Sequence, residues 1–343
     1  MRANLIHRVP ELQLQPTRGC NLACAHCCTS SGPELREAVD LETLTRCLTD
    51  ATVLGYRRLT VSGGEPLLYP ALAGLLARAR ALGMWTTVIS NGMLATPARW
   101  GPLAPLIDEA VISIDGPEAE HDALRRRPGA FTAAVGNLAT IRASGVPFAF
   151  AFTLTQHNVE SLAHVVRLAA EHGACRVQVH PLAPHGRAAI ELAGAQPDAI
   201  ELAFAAYEAM RLGRGLGIAV SVDAFTPEQL AGERDALVPV APVTDLVDVA
   251  PVLVVEPDAR VVPLSLEVSP RLALGSLIGS RLTRLAGDWL SSGRGDVLAD
   301  ACARTWAELM AAPAAPAVSW YGEVAARTWP AVASSWRIPA ARA

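Results

Sequence analysis

Apolar and polar positions follow two rhythms along the first part of the chain. Short apolar runs bounded by turn residues predict strands at Leu12–Thr17, Arg58–Ser62, Thr86–Ser90, Glu109–Ile114, Phe148–Thr155 and Cys175–His180. Between them, apolar residues at three- and four-residue spacing predict helices at Leu41–Leu54, Pro70–Leu82, Pro97–Leu106, Phe131–Ser144 and Val159–His172. Asp40 is placed to cap the first of these, and Gly83, Gly145 and Gly173 to end three others. The alternation reads as six β-then-α units, which predicts an α/β fold: a partial (β/α)6 TIM-type barrel rather than a closed barrel of eight.

Polar punctuation falls at one place in each unit, just after the strand. Gly63-Gly64-Glu65-Pro66, Ser90-Asn91-Gly92, Ser113 with Asp115-Gly116, Asn158 and His185-Gly186-Arg187 all follow this rule. In a barrel such positions share one rim, where ligands bind.

Beyond residue 190 the pattern changes. A helix is predicted over Pro197–Gly213 and a strand over Ile218–Val222. A hairpin follows from Pro251–Glu256, a Pro257-Asp258 turn and Arg260–Leu266, then helices over Leu277–Leu290 and Val297–Met310. The expected division is a barrel core over 1–190, a small C-terminal α+β appendage over 191–310, and an Ala/Pro-rich tail over 311–343 bearing Trp320, Trp329 and Trp336.

Composition narrows the class. Of 343 residues, 51% are hydrophobic and 18% charged, enough apolar material for a large core and unlike a disordered chain. With 29 basic and 33 acidic residues the net charge is −4, so there is no global basic field to attract nucleic acid or an anionic membrane. Met1–Gln15 lacks the apolar stretch of a signal peptide, and the most apolar segment, Ala236–Val255, is broken by Pro239, Pro242, Asp245, Asp248 and Pro251. A cytoplasmic protein is expected.

Four of the seven cysteines fall in one stretch, Arg18-Gly19-Cys20-Asn21-Leu22-Ala23-Cys24-Ala25-His26-Cys27-Cys28, directly after the first strand. The C-x3-C-x2-C spacing suits three thiolates on an iron–sulfur cube, leaving one iron open. A zinc site with Cys28 or His26 as fourth ligand is the alternative, although no second C-x2-C pair exists to complete a zinc ribbon; a loop without metal is the third reading.

These residues resemble the radical S-adenosylmethionine (SAM) enzymes, whose signature is C-x3-C-x-Φ-C with Φ usually aromatic; His26 holds that place. Ser62-Gly63-Gly64-Glu65-Pro66 is similar to the family's GGEP motif. Ser113-Ile114-Asp115-Gly116-Pro117, with His121-Asp122, Arg125 and Pro128-Gly129-Ala130-Phe131, resembles the branch carrying a C-terminal SPASM or twitch domain. So does Pro181-Leu182-Ala183-Pro184-His185-Gly186-Arg187-Ala188.

The resemblance implies an enzyme with one 4Fe–4S cluster and SAM as cofactors. Cys20, Cys24 and Cys27 would ligate the cluster, and the open iron would chelate the amino and carboxylate groups of SAM. Reductive cleavage would give a 5′-deoxyadenosyl radical that abstracts a substrate hydrogen. Gly63, Gly64 and Glu65 would hold the SAM amino group, and Ser90 and Asn91 would lie by the ribose. Ser113, Asp115 and His26 would complete the cofactor site. Arg125 would pair with the SAM carboxylate, with Arg126 and Arg127 as competitors. His180 and His185 are rim acid–base candidates or solvated side chains.

The pattern departs from the family in its C-terminal part. The residue after Pro263 is Leu264 where the family has Cys, and only Cys175 and Cys302 lie beyond the first fifty residues, too few for a four-cysteine auxiliary cluster. The appendage therefore reads as a degenerate SPASM or twitch remnant without its cluster. Cys28 is expected beside the cluster and not as a ligand, and Cys47 in the core. Cys302 or Cys175 is the candidate hydrogen-atom donor to a substrate radical, or else structural.

Three functions follow: maturation of a ribosomal peptide natural product by epimerisation, cross-linking or oxidation; oxidation or rearrangement of a small molecule; or non-catalytic metal binding in regulation. The implied partners are the peptide or small-molecule substrate, a flavodoxin- or ferredoxin-like electron donor, and a separate leader-peptide-binding protein, since little chain precedes the first strand.

Overall fold

The structure is a computed structural model that describes residues 9–311 and 315–329. One ten-stranded sheet organises them, in the order β10-β9-β8-β1-β2-β3-β4-β5-β6-β7. The six expected strands are β1 (Glu11–Leu14), β2 (Arg58–Val61), β3 (Trp85–Ser90), β4 (Glu109–Ser113), β5 (Phe148–Leu154) and β6 (Arg176–Pro181), each parallel to the next. The helices along this stretch are α1 (Leu41–Val53), α2 (Leu72–Ala81), α3 (Pro97–Trp100), α4 (Glu118–Arg125), α5 (Ala130–Ala143), α6 (Leu162–His172) and α7 (Ala188–Glu191). Asp40 caps α1 as expected, accepting the Thr43 N–H at 2.8 Å.

Two elements differ from the expectation. The helix foreseen over Pro97–Leu106 is split into α3 and a 3-10 turn, Ala104–Leu106. Pro102 explains the break, because it has no N–H to give and restricts Gly101 before it. Helix α4 was not foreseen. Its signals are Pro117 just before it and the acidic first turn of Glu118 and Glu120.

The sheet does not stop at residue 190. After α8 (Ala199–Leu216), β7 (Ala219–Val222) joins parallel to β6. Short helices α9 (Pro227–Gly232), α10 (Arg234–Leu237) and α11 (Leu246–Val249) lead to the expected hairpin, β8 (Val252–Val255) and β9 (Arg260–Pro263), with β10 (Gly275–Ser276) beside it. β8 lies parallel to β1, with Leu12 opposite Leu253, so the hairpin extends the barrel sheet instead of founding a sheet of its own. The edges are β10 and β7, and the barrel is partial. Helices α12 (Leu282–Ser291), α13 (Arg294–Ala311) and α14 (Trp320–Thr328) follow. Of the tail, Val318 bridges to Phe225 and Trp320 is buried in α14; Trp336 lies outside the described residues. No helix among the described residues is long and apolar enough to cross a membrane.

Strand alternation separates two environments. Ala110, Ile112, Val177 and Val179 point outward into the main core beneath the helices. Val111, Ala149 and Ala151, with Ile89, form a small cluster on the opposite face, in the barrel interior. The residues that share this inner face of β6 are Arg176, Gln178 and His180, the last at the C-terminal rim.

Candidate functional site

The loop between β1 and α1 carries the cysteines and is tied down on three sides. Its two arms pair with each other: Arg18 N–H donates to Glu37 O (2.9 Å), and Cys20 N–H to Gly32 O (3.1 Å). The turn after β2 fastens underneath, where Gly64 N–H donates to Thr17 O and Glu65 N–H to Gly19 O, both at 2.9 Å. A Cβ on Gly64 would lie 2.1 Å from Gly19 O, and Gly63 has φ +101° with its Cβ position 2.9 Å from Gln15 Cα. The glycine pair is thus required by contact with the cysteine loop itself. From the far side, Arg187 donates to Cys24 O (2.8 Å) and Ser31 O (2.7 Å), its backbone N–H to Cys27 O (3.0 Å), and His185 Nδ1 is 2.9 Å from Cys28 O.

The expected metal ligands, Cys20, Cys24 and Cys27, lie together in this loop, close enough that each raises the energy of a neighbouring thiolate. Burial first, and then the charges of Glu65, Cys24 and Cys27, push the Cys20 thiol up to about 12. A thiolate at Cys20 therefore needs strong positive charge beside it, which a metal cluster supplies. Two of the sulfurs already accept hydrogen bonds: Cys20 from Leu22 N–H at 3.4 Å, and Cys27 from Ser31 N–H at 3.3 Å, with Thr29 Oγ1 also 3.3 Å from Cys27 Sγ. N–H···S bonds of this kind support ligating thiolates. Among the described residues no group of three or more His, Cys, Asp or Glu side chains converges as a single metal ion requires. The donor set therefore suits a cube spread over several irons.

The expected cofactor residues form a connected polar layer below the loop. Glu65 is fully buried and accepts from Ser90 Oγ (2.8 Å), Asn91 N–H (2.9 Å) and Leu67 N–H (3.1 Å); burial raises its pKa. Its carboxylate braces the ends of β2 and β3, and the Gly64 and Glu65 N–H groups are committed to the loop. Asn91 donates to Asn21 Oδ1 (2.8 Å) and points the same amide toward Cys20 Sγ (3.9 Å). Ser113, on the inner face of β4, is half-buried.

Arg125 is oriented by Asp115, to which it donates through Nε (2.8 Å) and a terminal nitrogen (2.7 Å), leaving its other N–H donors uncommitted to that carboxylate. Both are buried, and although burial alone would raise the Asp115 pKa, Arg125 above all, with His26 and His121, holds it down at about 2. His26 Nε2 is 3.7 Å from Asp115, and burial lowers the His26 pKa to about 4, so the ring is neutral. His121 Nδ1 accepts the Asp115 N–H at 3.1 Å. His26 Nδ1 and His121 Nε2 are buried without partners. Of the competitors, Arg126 pairs with Glu191 at the surface.

The two candidate hydrogen-atom donors are not at this rim. Cys175 precedes β6, at the opposite end of the barrel, exposed and 3.9 Å from Glu109. Cys302 is 2% exposed on α13, packed into the helical core. Strand direction decides the first case and helix packing the second. Leu264, where a family cysteine would stand, is buried in the main core. The sequence reading also missed Asp223, which follows β7 and hydrogen-bonds His180 Nδ1 at the rim; a polar residue ending a strand was the available signal. Beside the loop, a cleft of about 230 Å³ is lined by Gln15, Arg18, Cys28, His185 and Glu256, and Gln15 Oε1 and Arg18 Nε are buried there without partners.

Comparison with known proteins agrees with this geometry. Residues 14–169 match the family model of the radical SAM superfamily. The PqqA peptide cyclase of Ruegeria pomeroyi is 33% identical over 209 residues, 57% of this chain and 55% of the relative. The AdoMet-dependent heme synthase of Methanosarcina barkeri is 34% identical over 176 residues, 50% of each chain. The chain thus spans about half the length of these curated relatives. Among solved structures, Streptococcus suis SuiB bound to the precursor peptide SuiA superposes with TM-score 0.60 at 16% identity, over 75% of this chain and 59% of SuiB. The structure of anSMEcpe with bound AdoMet superposes equally well, TM-score 0.60 at 16% identity over 80% of this chain and 76% of the other; at such identity both establish the fold. The superfamily's cofactors are a 4Fe–4S cluster and SAM, and residues 14–169, with Cys20, Cys24 and Cys27 in the loop after the first strand, are the part of this chain that matches the radical SAM superfamily.

Proposed function

We propose that the chain is a radical SAM enzyme of the SPASM/twitch-type branch that has lost its auxiliary cluster, and that it acts in maturing a ribosomal peptide natural product. The observation that carries the enzymatic reading is the cysteine loop: three thiols grouped at the C-terminal rim, two of them accepting N–H···S bonds. Cys20, Cys24 and Cys27 would hold one 4Fe–4S cluster. When bound, the reduced cluster and SAM together supply a carbon-centred radical able to remove a substrate hydrogen. The chain's own part is positional. Arg187 and the Gly63-Gly64 turn fix the loop, and Glu65 locks the strand ends carrying Ser90 and Asn91.

The peptide substrate is supported by the names of the relatives, a peptide cyclase and an enzyme solved with its precursor peptide. The heme-synthase relatives favour a second reading, oxidation or rearrangement of a small molecule in cofactor biosynthesis. A flavodoxin- or ferredoxin-like reductant would serve either, and a separate leader-binding protein the first. Anaerobic reconstitution tests the shared core of both readings. The protein should take up about four irons per chain and, with dithionite, release 5′-deoxyadenosine from SAM. A colourless chain holding zinc would leave the non-catalytic alternative standing instead.

A further inference from the structure

The cleft beside the cysteine loop holds two buried polar atoms that no described residue satisfies. Gln15 follows β1 and continues its inner face, since Leu12 and Leu14 point outward into the core. The residue is 6% exposed, yet its Oε1 has no hydrogen-bond partner. Arg18, three residues on, has its Nε buried and likewise unpartnered. Both are held from the backbone. Gln15 N–H donates to Val255 O and Arg18 N–H to Glu37 O, each at 2.9 Å. The turn after β2 packs against the Gln15 side chain, the place of a Cβ on Gly63 being 2.9 Å from Gln15 Cβ.

The other polar groups lining the cleft are engaged already. His185 Nδ1 meets Cys28 O at 2.9 Å, Thr29 Oγ1 is 2.7 Å from Ser31 Oγ, and Glu256 accepts from Arg260 Nε. Asp258 accepts the Arg260 N–H at 3.0 Å. The Arg18 charge faces Glu37 at 3.8 Å, so among the described residues the lining presents no unpaired cation to an anion. What the cleft lacks is neutral: a donor for Gln15 Oε1 and an acceptor for Arg18 Nε–H. Such groups cost free energy while buried and unpaired, and a ligand that supplies both partners recovers it as affinity. A peptide backbone carries both, one N–H and one C=O per residue. The volume, about 230 Å³, suits a short stretch of backbone and not a whole cofactor. The cleft also reaches the metal-binding loop, because Thr29 lines it and Thr29 Oγ1 is 3.3 Å from Cys27 Sγ.

We propose that Gln15 and Arg18 read the backbone of the peptide substrate in this cleft, Gln15 Oε1 accepting a peptide N–H and Arg18 Nε donating to a peptide C=O. The inference deepens the proposed function and rests on its peptide reading for the natural ligand. A molecule of the same shape without amide N–H groups leaves Gln15 Oε1 unpaired and is rejected for that reason.

The test titrates the reconstituted full chain with N-acetylglycine N-methylamide, a minimal stretch of peptide backbone. The control ligand is methyl acetoxyacetate, the same skeleton with each N–H replaced by oxygen. Dissociation constants are read by ligand-observed NMR. Wild type should bind the amide about tenfold more tightly than the ester. Gln15→Leu should weaken the amide about tenfold and leave the ester unchanged, because only the amide has an N–H to offer. Arg18→Met should weaken both, since both keep their carbonyls. A merely structural role would weaken the two ligands alike in either variant. Equal binding of amide and ester by wild type, binding of neither, or an amide affinity that survives Gln15→Leu overturns the inference. If Gln15→Leu does not fold, the wild-type ratio of amide to ester decides alone. A chain that takes up iron and releases 5′-deoxyadenosine but shows no preference for the amide overturns this inference only. A chain with that preference but no iron overturns the enzymatic reading and leaves the amide site standing.

Discussion

The two ends of the barrel contain the same kinds of side chain in different settings. At the C-terminal rim, Asp115 and Arg125 have side chains 1% and 6% exposed and lie under a long cysteine-bearing loop. At the floor, Glu109 meets Arg176, and Arg58 sits between Glu11 and Glu109, with the arginines 26% and 34% exposed. Cys175 stands there in the open, beside segments that enter each strand within a few residues of the preceding helix. Long excursions follow strands, and tight turns precede them. At the floor each guanidinium keeps part of its surface in water beside a buried carboxylate, whereas at the rim both partners are buried and the pair is less screened. Chemistry belongs at the end where the chain has length to build a roof.

The largest expected contrast is in iron. Alanine at Cys20, Cys24 or Cys27 should each cut uptake from about four irons per chain to one or fewer, while Cys175→Ala leaves it unchanged; iron analysis and the visible spectrum read both. Next come two glycines. Gly64→Ala drives a methyl to 2.1 Å from Gly19 O and should cost more than about 3 kcal/mol and the cluster with it. Gly83→Ala, near the floor with open space around it and φ +73°, should cost about 1 kcal/mol by denaturant unfolding.

A pH effect of comparable size is expected from His121. Burial first, then Arg125, lowers its pKa to about 4, so the folded ring stays neutral while the unfolded one protonates below about 6.5. Stability from this group is fully present above pH 6.5 and declines toward pH 4, by roughly 3 kcal/mol. His121→Gln should flatten that part of the profile in chemical unfolding of the cluster-free protein. Arg187→Ala, which releases Cys24 O and Ser31 O, should cost about 2 kcal/mol and speed iron loss to a chelator. The smallest effect is foreseen for Cys175→Ser at the floor, within about 0.5 kcal/mol by thermal unfolding. A floor substitution that abolished iron uptake, or a rim cysteine that did not, would break the contrast.

The order of elements was legible because strand-forming runs and helical spacing alternate cleanly up to His180. So was the position of the cysteine loop, since C-x3-C-x2-C and Gly-Gly-Glu-Pro are local patterns. Pairings between distant segments were not. Nothing in Val252–Val255 says that its partner is β1, and nothing in Arg125 says that Asp115, ten residues earlier in the chain, orients it. The Glu65 oxygens meet Ser90 and Asn91, a contact set only when β2 and β3 stand side by side. The sequence left Cys175 and Cys302 open between a catalytic and a structural role for a similar reason. Residue type marks reactivity, while strand direction and burial decide what a thiol can reach.

β1 receives one of its neighbours very late. Glu11 and Gln15 donate their N–H groups to Pro251 and Val255, and the Tyr56 hydroxyl to Ala250, all contributed by the last third of the chain. During synthesis the strand leading into the metal-binding loop therefore has a bare flank until that portion has emerged. A fragment truncated near residue 190 would present that edge unpaired to its neighbours, a template for aggregation.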